Sequence, residues 1–313
     1  MNPYLPEGRL LHTPENQAAL SSPDSLARAM EAGAVLEGMA CRCDPEHNLW
    51  VDCGGLPGFL PREEAALGVR EGLTRDIAVL SRVGWPVSFV VEGLEGRDGR
   101  LVPRLSRRKA QERALRALMA RKPGDVIPVT VTHLEPFGAF VDMGCGLPSL
   151  IGVERISVSR IPHPVHRFTI GQPLSALVIG VDPDKGRLLL SHRELLGTWL
   201  ENARQFSPGE TVPGVVRSIQ PYGAFVELTP NLSGLAEPQE GLREGDRVAV
   251  CVKAILPEKR KLKLLIIHKL PALAAPPPFR YFVSGPRLER WDYGPEGCLK
   301  GPAWDAAQPV TAP

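Results

Sequence analysis

EPFGAFVD at residues 135–142 and QPYGAFVE at residues 220–227 are one phrase written twice. Each copy sets an aromatic residue, a glycine, a small residue, a second aromatic residue and an acid at the same spacing, 85 residues apart. That offset exceeds the span of one helix or strand, so each copy belongs to its own folding unit. The match extends outward. Gly124-Asp125-Val126 precedes the first copy as Gly209-Glu210-Thr211 precedes the second, and Leu150-Ile151 answers Leu235-Ala236. After an interruption Gly171 pairs with Gly245, Asp182-Pro183-Asp184-Lys185 with Leu256-Pro257-Glu258-Lys259, and Arg187-Leu188-Leu189-Leu190 with Lys261-Leu262-Lys263-Leu264. The later copy lacks the stretch SVSRIPHPVHR, which therefore reads as a loop. A fainter third copy comes first: HNLWVDCG at 47–54 lies over FGAFVDMG at 137–144, placing His47 at the position of Phe137 and Trp50 at that of Phe140.

Within each unit the period is that of short strands. VIPVTVTHL, AFVDMG, LSALVIGV and RLLLSHREL alternate or cluster apolar and β-branched residues between Gly, Pro and Asp turn signals, the pattern of a small all-β barrel or sandwich for which five strands suffice. Between units the pattern changes. SRRKAQERALRALMARK at 106–122 is rich in helix formers and stops at Pro123-Gly124, and HRELLGTWLENARQF at 192–206 reads as a second helical linker. SSPDSLARAMEAG near the start predicts a helix capped near Ser22 or Asp24.

The phrase FGAFVD, the GL-type segment after it, the VDPDKG turn and RLLLSH resemble the S-one repeat, the five-stranded OB-fold RNA-binding module of the ribosomal protein of that name. The span from Gly33 to Leu270 reads as three such repeats, similar to the short homologues of Gram-positive anaerobes with a divergent first repeat. The resemblance implies three tandem barrels: an N-terminal helical extension at 1–32, repeats at 33–105, 124–195 and 209–270, linkers at 106–123 and 196–208, and a Pro-rich linker with a small tail at 271–313. It also implies a cytoplasmic, monomeric protein without cofactor or metal that binds single-stranded RNA, in particular mRNA, in translation, with the small ribosomal subunit as a partner.

The physical chemistry of the phrase leads to the same ligand. Phe137 and Phe140 share a surface only if Phe137 sits in a bend before the strand, which Gly138 allows; the same holds for Tyr222, Gly223 and Phe225. Two exposed rings make a stacking platform for unpaired bases, worth about 1–3 kcal/mol per base. The competing reading buries both rings in the core. From the family pattern, Arg155 before Ile156-Ser157 stands where histidine is frequent, and Asp182 and Arg187 flank the turn glycine; Leu256 and Lys261 replace that pair in the third repeat, while His47 and Trp50 keep π faces in the first. An Asp182–Arg187 ion pair that merely closes the turn is the plainer alternative.

The chain of 313 residues has a formal charge of only +2. Its basic charge is concentrated in the linker 106–123, with seven Lys and Arg against Glu112 alone. On a helix Lys109, Arg113 and Arg116 align on one face, as a solvated stripe or a phosphate-contacting one. Cys41, Cys43 and Cys53 lack a fourth ligand and read as strand thiols rather than a zinc site. His163 and His166 lie in a Pro-rich loop without further ligands, and no nucleotide-binding or metalloprotease motif occurs, so catalysis is not expected. No apolar stretch reaches the roughly 18–20 residues that span a bilayer, which excludes a membrane helix as the expected setting. Trp291, Tyr293 and Trp304 read as packing residues of a small hairpin, and DAAQPVTAP at the end as disordered. The alternative function is a protein-interaction scaffold, for which the aromatic rings would be buried.

Overall fold

In AFVD and AFVE the small and branched residues alternate with the ring and the acid, and the strands obey that period: Ala139 and Val141, like Ala224 and Val226, point into a core while Phe140 and Phe225 stay on the outer face, half-buried. A computed structural model describes residues 4–97, 100–273, 276–283, 285–294, 301–308 and 310. It contains three closed five-stranded barrels, the OB-fold architecture. The first comprises β1 (Leu36–Cys43), β2 (Leu49–Cys53), β3 (Leu56–Leu60), β4 (Pro86–Arg97) and β5 (Arg100–Ser106). The second comprises β6 (Val126–Glu135), β7 (Gly138–Asp142), β8 (Pro148–Gly152), β9 (Pro173–Asp182) and β10 (Arg187–Ser191). The third comprises β11 (Thr211–Gln220), β12 (Gly223–Thr229), β13 (Leu232–Ala236), β14 (Arg247–Leu256) and β15 (Lys261–Lys269).

Strand order is identical in all three: the first strand pairs with the second and the fourth, and the third runs parallel to the fifth to close the barrel. The first strand carries a bulge at the same register each time, between Ala40 and Arg42, Val131 and His133, and Val216 and Ser218. One extra residue there sharpens the coil that a small barrel needs.

Short helices flank the barrels. Helices α1 (Pro14–Leu20) and α2 (Pro23–Glu31), the latter capped by Ser22, close one end of the first barrel with Leu20, Leu26 and Ala29 in its core. A short helix α3 (Ile77–Leu80) lies in the long connection from β3 to β4. Helix α4 (Arg107–Met119) follows β5 and gives Ala114 and Leu118 to the second core. The stretch 192–206 is not one helix. It is a 3₁₀ turn, Arg193–Leu196, broken at Gly197 (φ 81°), and then α5 (Trp199–Ala203), whose capping box of Thr198 and Glu201 starts the helix afresh.

Beyond the third barrel the chain runs first without regular structure and then as a hairpin. Pro271 to Pro278 has no regular structure among its described residues, and beyond it β16 (Arg290–Asp292) pairs with β17 (Ala303–Asp305). Trp291, Tyr293 and Trp304 are buried, so they pack rather than stack on bases. DAAQPVTAP is not disordered at its described residues: Asp305 lies in β17 and the N–H of Val310 donates to Ile179 O at 2.9 Å.

His192 shows how this strap is fastened. It is fully buried among Phe168, Phe279 and Tyr281, with Nδ1 3.0 Å from Ile156 O and Nε2 3.1 Å from the Tyr281 hydroxyl. Burial, opposed by the Ile156 carbonyl, pushes its pKa down to about 4. The unfolded chain therefore takes up this proton at a higher pH than the folded one, and stability rises with pH between about 4 and 6.5 and is lost as pH falls through that window. Thermal unfolding of the parent against His192→Gln is expected to show an acid-side loss on the order of 3 kcal/mol that the variant largely lacks. Parallel curves for the two proteins would contradict that role.

Candidate nucleic-acid interface

Across each barrel the second strand sets one ring in the same place. Trp50, Phe140 and Phe225 sit opposite Phe59, Leu150 and Leu235 of the third strand, and opposite Arg42, His133 and Ser218 of the bulged first strand. Phe137 and Tyr222, just before their strands, are 56% and 63% exposed. They meet Phe140 and Phe225 edge to face, with centroids 6.0 and 6.4 Å apart. The glycine in the phrase is required by a contact rather than by the bend alone. A Cβ on Gly138 would lie 2.5 Å from Ile151 O of the neighbouring strand, and one on Gly223 would be closer still to Ala236 O. The sheet thus closes directly under the outer ring of each pair.

The first barrel keeps the inner ring but not the expected partner. His47 turns to Asp76, with Nδ1 3.2 Å from a carboxylate oxygen. Trp50 instead meets Phe59 of β3 at 5.3 Å and carries Arg42 over its ring at 4.6 Å. Phe59 was not expected because the residues at its position in the other barrels, Leu150 and Leu235, are not aromatic; the alternation in GFLP, which puts Phe59 on the same outer face as Trp50, was the available signal.

A cleft adjoins the inner ring in every barrel. Cys41, Arg42, Asp52 and Arg100 line the one at Trp50, of about 950 Å³. Met143, Leu150, Lys185 and Arg187 line the one at Phe140, of about 610 Å³. Leu235, Lys253, Arg260, Lys261 and Lys263 line the one at Tyr222 and Phe225, of about 460 Å³. Each is therefore a π surface beside cationic side chains, a combination that suits a stacked base and its phosphate.

The remaining expected residues divide. Arg187 lines the second cleft while its Nε lies 3.1 Å from Asp182, which is buried and held below the usual carboxylate range; burial opposes that shift, and the Lys185 N–H and Arg187 bring it about. The turn-closing pair and the cleft position coexist. Arg155 lies in a 3₁₀ turn, Val153–Arg155, with Nη1 3.9 Å from the buried Glu194. Lys261 is exposed and pairs across its hairpin with Leu256, in the register of Arg187 with Asp182.

The basic helix is largely tied up. Arg107 is buried against Glu7, Arg108 contacts Glu64 and Glu112, Lys109 contacts Glu92, and Arg113 donates to Gly33 O at 2.5 Å. Of the stripe of three, Arg116 is exposed. Much of the linker's charge is thus matched by Glu7, Glu64 and Glu92, which come from outside it. Cys41 is exposed, Cys43 half-buried and Cys53 buried, so only the last is an interior strand thiol; burial pushes it up to about 12. Cys298 lies outside the described residues. Among the described residues no group of three or more His, Cys, Asp or Glu is placed to hold a metal ion, and no helix is long and apolar enough to cross a membrane.

Three barrels of one topology with a repeated aromatic face define a tandem OB-fold protein. Residues 121–193, the span of the second barrel, match the S1 RNA binding domain family, and the chain is an S1-family protein. It is 32% identical over 233 residues to the small ribosomal subunit protein bS1 of Leuconostoc lactis, covering 69% of this chain and 52% of that protein. To the bS1 protein of Staphylococcus aureus (strain COL) it is 31% identical over 234 residues, covering 69% and 58%. The chain thus spans little more than half the length of the curated relatives it matches. A solved multidomain protein with nucleic acid binding domains from Streptococcus pneumoniae is 15% identical, with 75% of this chain and 73% of that chain covered and a TM-score of 0.25.

Gly138→Ala is expected to destabilise the second barrel by on the order of 2 kcal/mol, because the contact under Phe137 is backbone and cannot yield cheaply. Gly93→Ala, where a Cβ meets nothing within 4 Å, is the control. Equal urea midpoints for the two variants would show that the close approach is not a constraint.

Proposed function

We propose that the chain binds unpaired RNA across the aromatic faces of its barrels, as an mRNA-binding, non-catalytic component of translation that associates as a monomer with the small ribosomal subunit in the cytoplasm. The observation that carries this reading is the exposed edge-to-face pair, Phe137 with Phe140 and Tyr222 with Phe225, each beside a cationic cleft. Rings held in this way offer faces to bases, whereas a scaffold with vestigial RNA contact has no need to keep Phe137 and Tyr222 in water. The family match and the names of the relatives agree with an RNA ligand and a ribosomal setting. A protein partner is favoured at the connection that contains α3, where Leu73, Ile77 and Trp85 are exposed apolar residues.

Stacking and charge separate in experiment. Unstructured RNA is expected to bind at least about tenfold tighter than duplex, since stacking needs free base faces. Phe137→Ala with Phe140→Ala should cost about 2 kcal/mol or more without changing the salt slope, Tyr222→Ala with Phe225→Ala less, and His47→Ala with Trp50→Ala least. Lys261→Gln with Lys263→Gln should instead flatten the slope by about 1.4, from roughly 0.7 per phosphate contact. Filter binding across a salt series, with circular dichroism to verify folding, reads all of these. Equal affinity for duplex and single strands would refute the proposal.

A further inference from the structure

The stretch that interrupts the repeat does not hang free. Ser159 N–H donates to Pro230 O at 3.0 Å and Ser159 Oγ lies 2.8 Å from Ser233 Oγ, so the loop of the second barrel is fastened to the third. At its end Arg167 is buried, with Nη2 2.5 Å from Glu227 Oε2. Arg217, the bulged residue of β11, grips the same carboxylate with both ends of its guanidinium, at 2.9 and 3.0 Å. Two guanidinium groups around one carboxylate leave a positive charge unmatched in a poorly solvated place.

A cleft of about 470 Å³ opens at this point between the two barrels. His166, Arg167, Arg217 and Arg247 line it with Glu227, and Phe279 supplies an apolar wall. Arg247 gives one N–H to Pro271 O at 3.2 Å. The three arginines and one glutamate sum to a formal +2. Burial first, and then Arg217, Arg167 and His163 against the opposing Glu227, hold the His166 pKa below its ordinary value. Glu227 stands two residues beyond Phe225 on the same outer face of β12, so the cleft continues the aromatic face of the third barrel towards the second.

We propose that this inter-barrel cleft is a phosphate-binding site, and that it takes a backbone phosphodiester of the strand as it passes from one aromatic pair to the other. The second half of this statement rests on the RNA-binding reading above; the first half does not. The site joins the second and third barrels into one continuous track, and it exists only because the inserted loop brings Arg167 to Glu227.

Arg247→Gln tests it while leaving the Arg167, Glu227 and Arg217 cluster intact. With an unstructured RNA long enough to cover both aromatic pairs, the variant is expected to bind about 3- to 10-fold more weakly and to lose about 0.7 from the salt slope. With a four-nucleotide RNA, which one barrel accommodates, it should match the parent. The source of the phosphate is tested by titrating the folded protein with inorganic phosphate and following the His166 ring by NMR. A bound anion raises the His166 pKa in the parent, and less in Arg247→Gln. A rise in His166 with no effect of the variant on the long RNA retains the phosphate site and overturns the strand path. An unmoved His166 together with parental affinity of the variant for long RNA overturns the site itself. If the parent binds neither RNA, the function proposed above fails, and the phosphate titration still decides the cleft.

Discussion

Asn231 is the point on which the arrangement of the second and third barrels turns. Its side chain is fully buried, and its hydrogen bonds reach two other segments of the chain. Oδ1 accepts the Val158 N–H at 3.0 Å, and Nδ2 donates to Arg193 O and Gly197 O, each at 2.8 Å. Its backbone carbonyl accepts the Tyr293 hydroxyl at 2.6 Å. A buried amide satisfied in this way holds its partners in one geometry, since a lost bond would leave a polar group unpaired at a cost of about 1–3 kcal/mol. The inserted loop, the linker turn and the tail are thereby referred to one turn of the third barrel. The cationic cleft depends on this, because Arg167 reaches Glu227 only from a loop fixed in place.

The first and second barrels are joined by a different chemistry in the same position. Glu7 accepts from Ser88 N–H and from Arg107, and its own N–H donates to Asp142 at 2.7 Å. Glu37, raised to about 7 by burial against the pull of backbone donors, takes the N–H groups of Gly8, Leu10 and Leu11. Asp142 and Glu227 are the acids that end the two copies of the repeated phrase. Each is buried, and each anchors a segment that comes from elsewhere in the chain. The acid in the phrase therefore serves assembly, while the rings two residues earlier face outward.

The fold was legible in sequence because two of its signals are local and periodic: alternation along each strand and recurrence of the phrase. The second and third barrels followed from these, and α2 and α4 from a capping residue and from helix-forming composition. What stayed hidden was relational. His47 aligned with Phe137 by position, yet a positive φ of 65° and Asp76 send it elsewhere, and Phe59 on the next strand fills the role. The charge of 106–123 was visible, but not that Glu7, Glu64 and Glu92 would meet it from other elements. DAAQPVTAP looked disordered from its composition, because a strap is stabilised by the surfaces it crosses and has no period of its own. Within the candidate interface, Phe137, Phe140, Tyr222 and Phe225 were readable from spacing, whereas Arg217 and Arg247 belong to a cleft that only the packing of two barrels creates.

The tail also bears on the order in which the molecule assembles. Phe279 and Tyr281 complete the surroundings of His192, and Phe282 N–H donates to Leu195 O at 3.0 Å. Leu288 N–H bonds Gly124 O, and Val126 N–H bonds Pro286 O, both at 2.8 Å. These contacts join residues more than eighty positions apart, so they close late for reasons of chain entropy. On a ribosome the strands of the second barrel emerge well before their strap. Until residues near 280 follow, the imidazole of His192 lacks its aromatic cover and the N–H of Val126 lacks its acceptor. The second barrel is thus complete in strands long before it is complete in burial, and the interval is set by the rate at which the third barrel is synthesised.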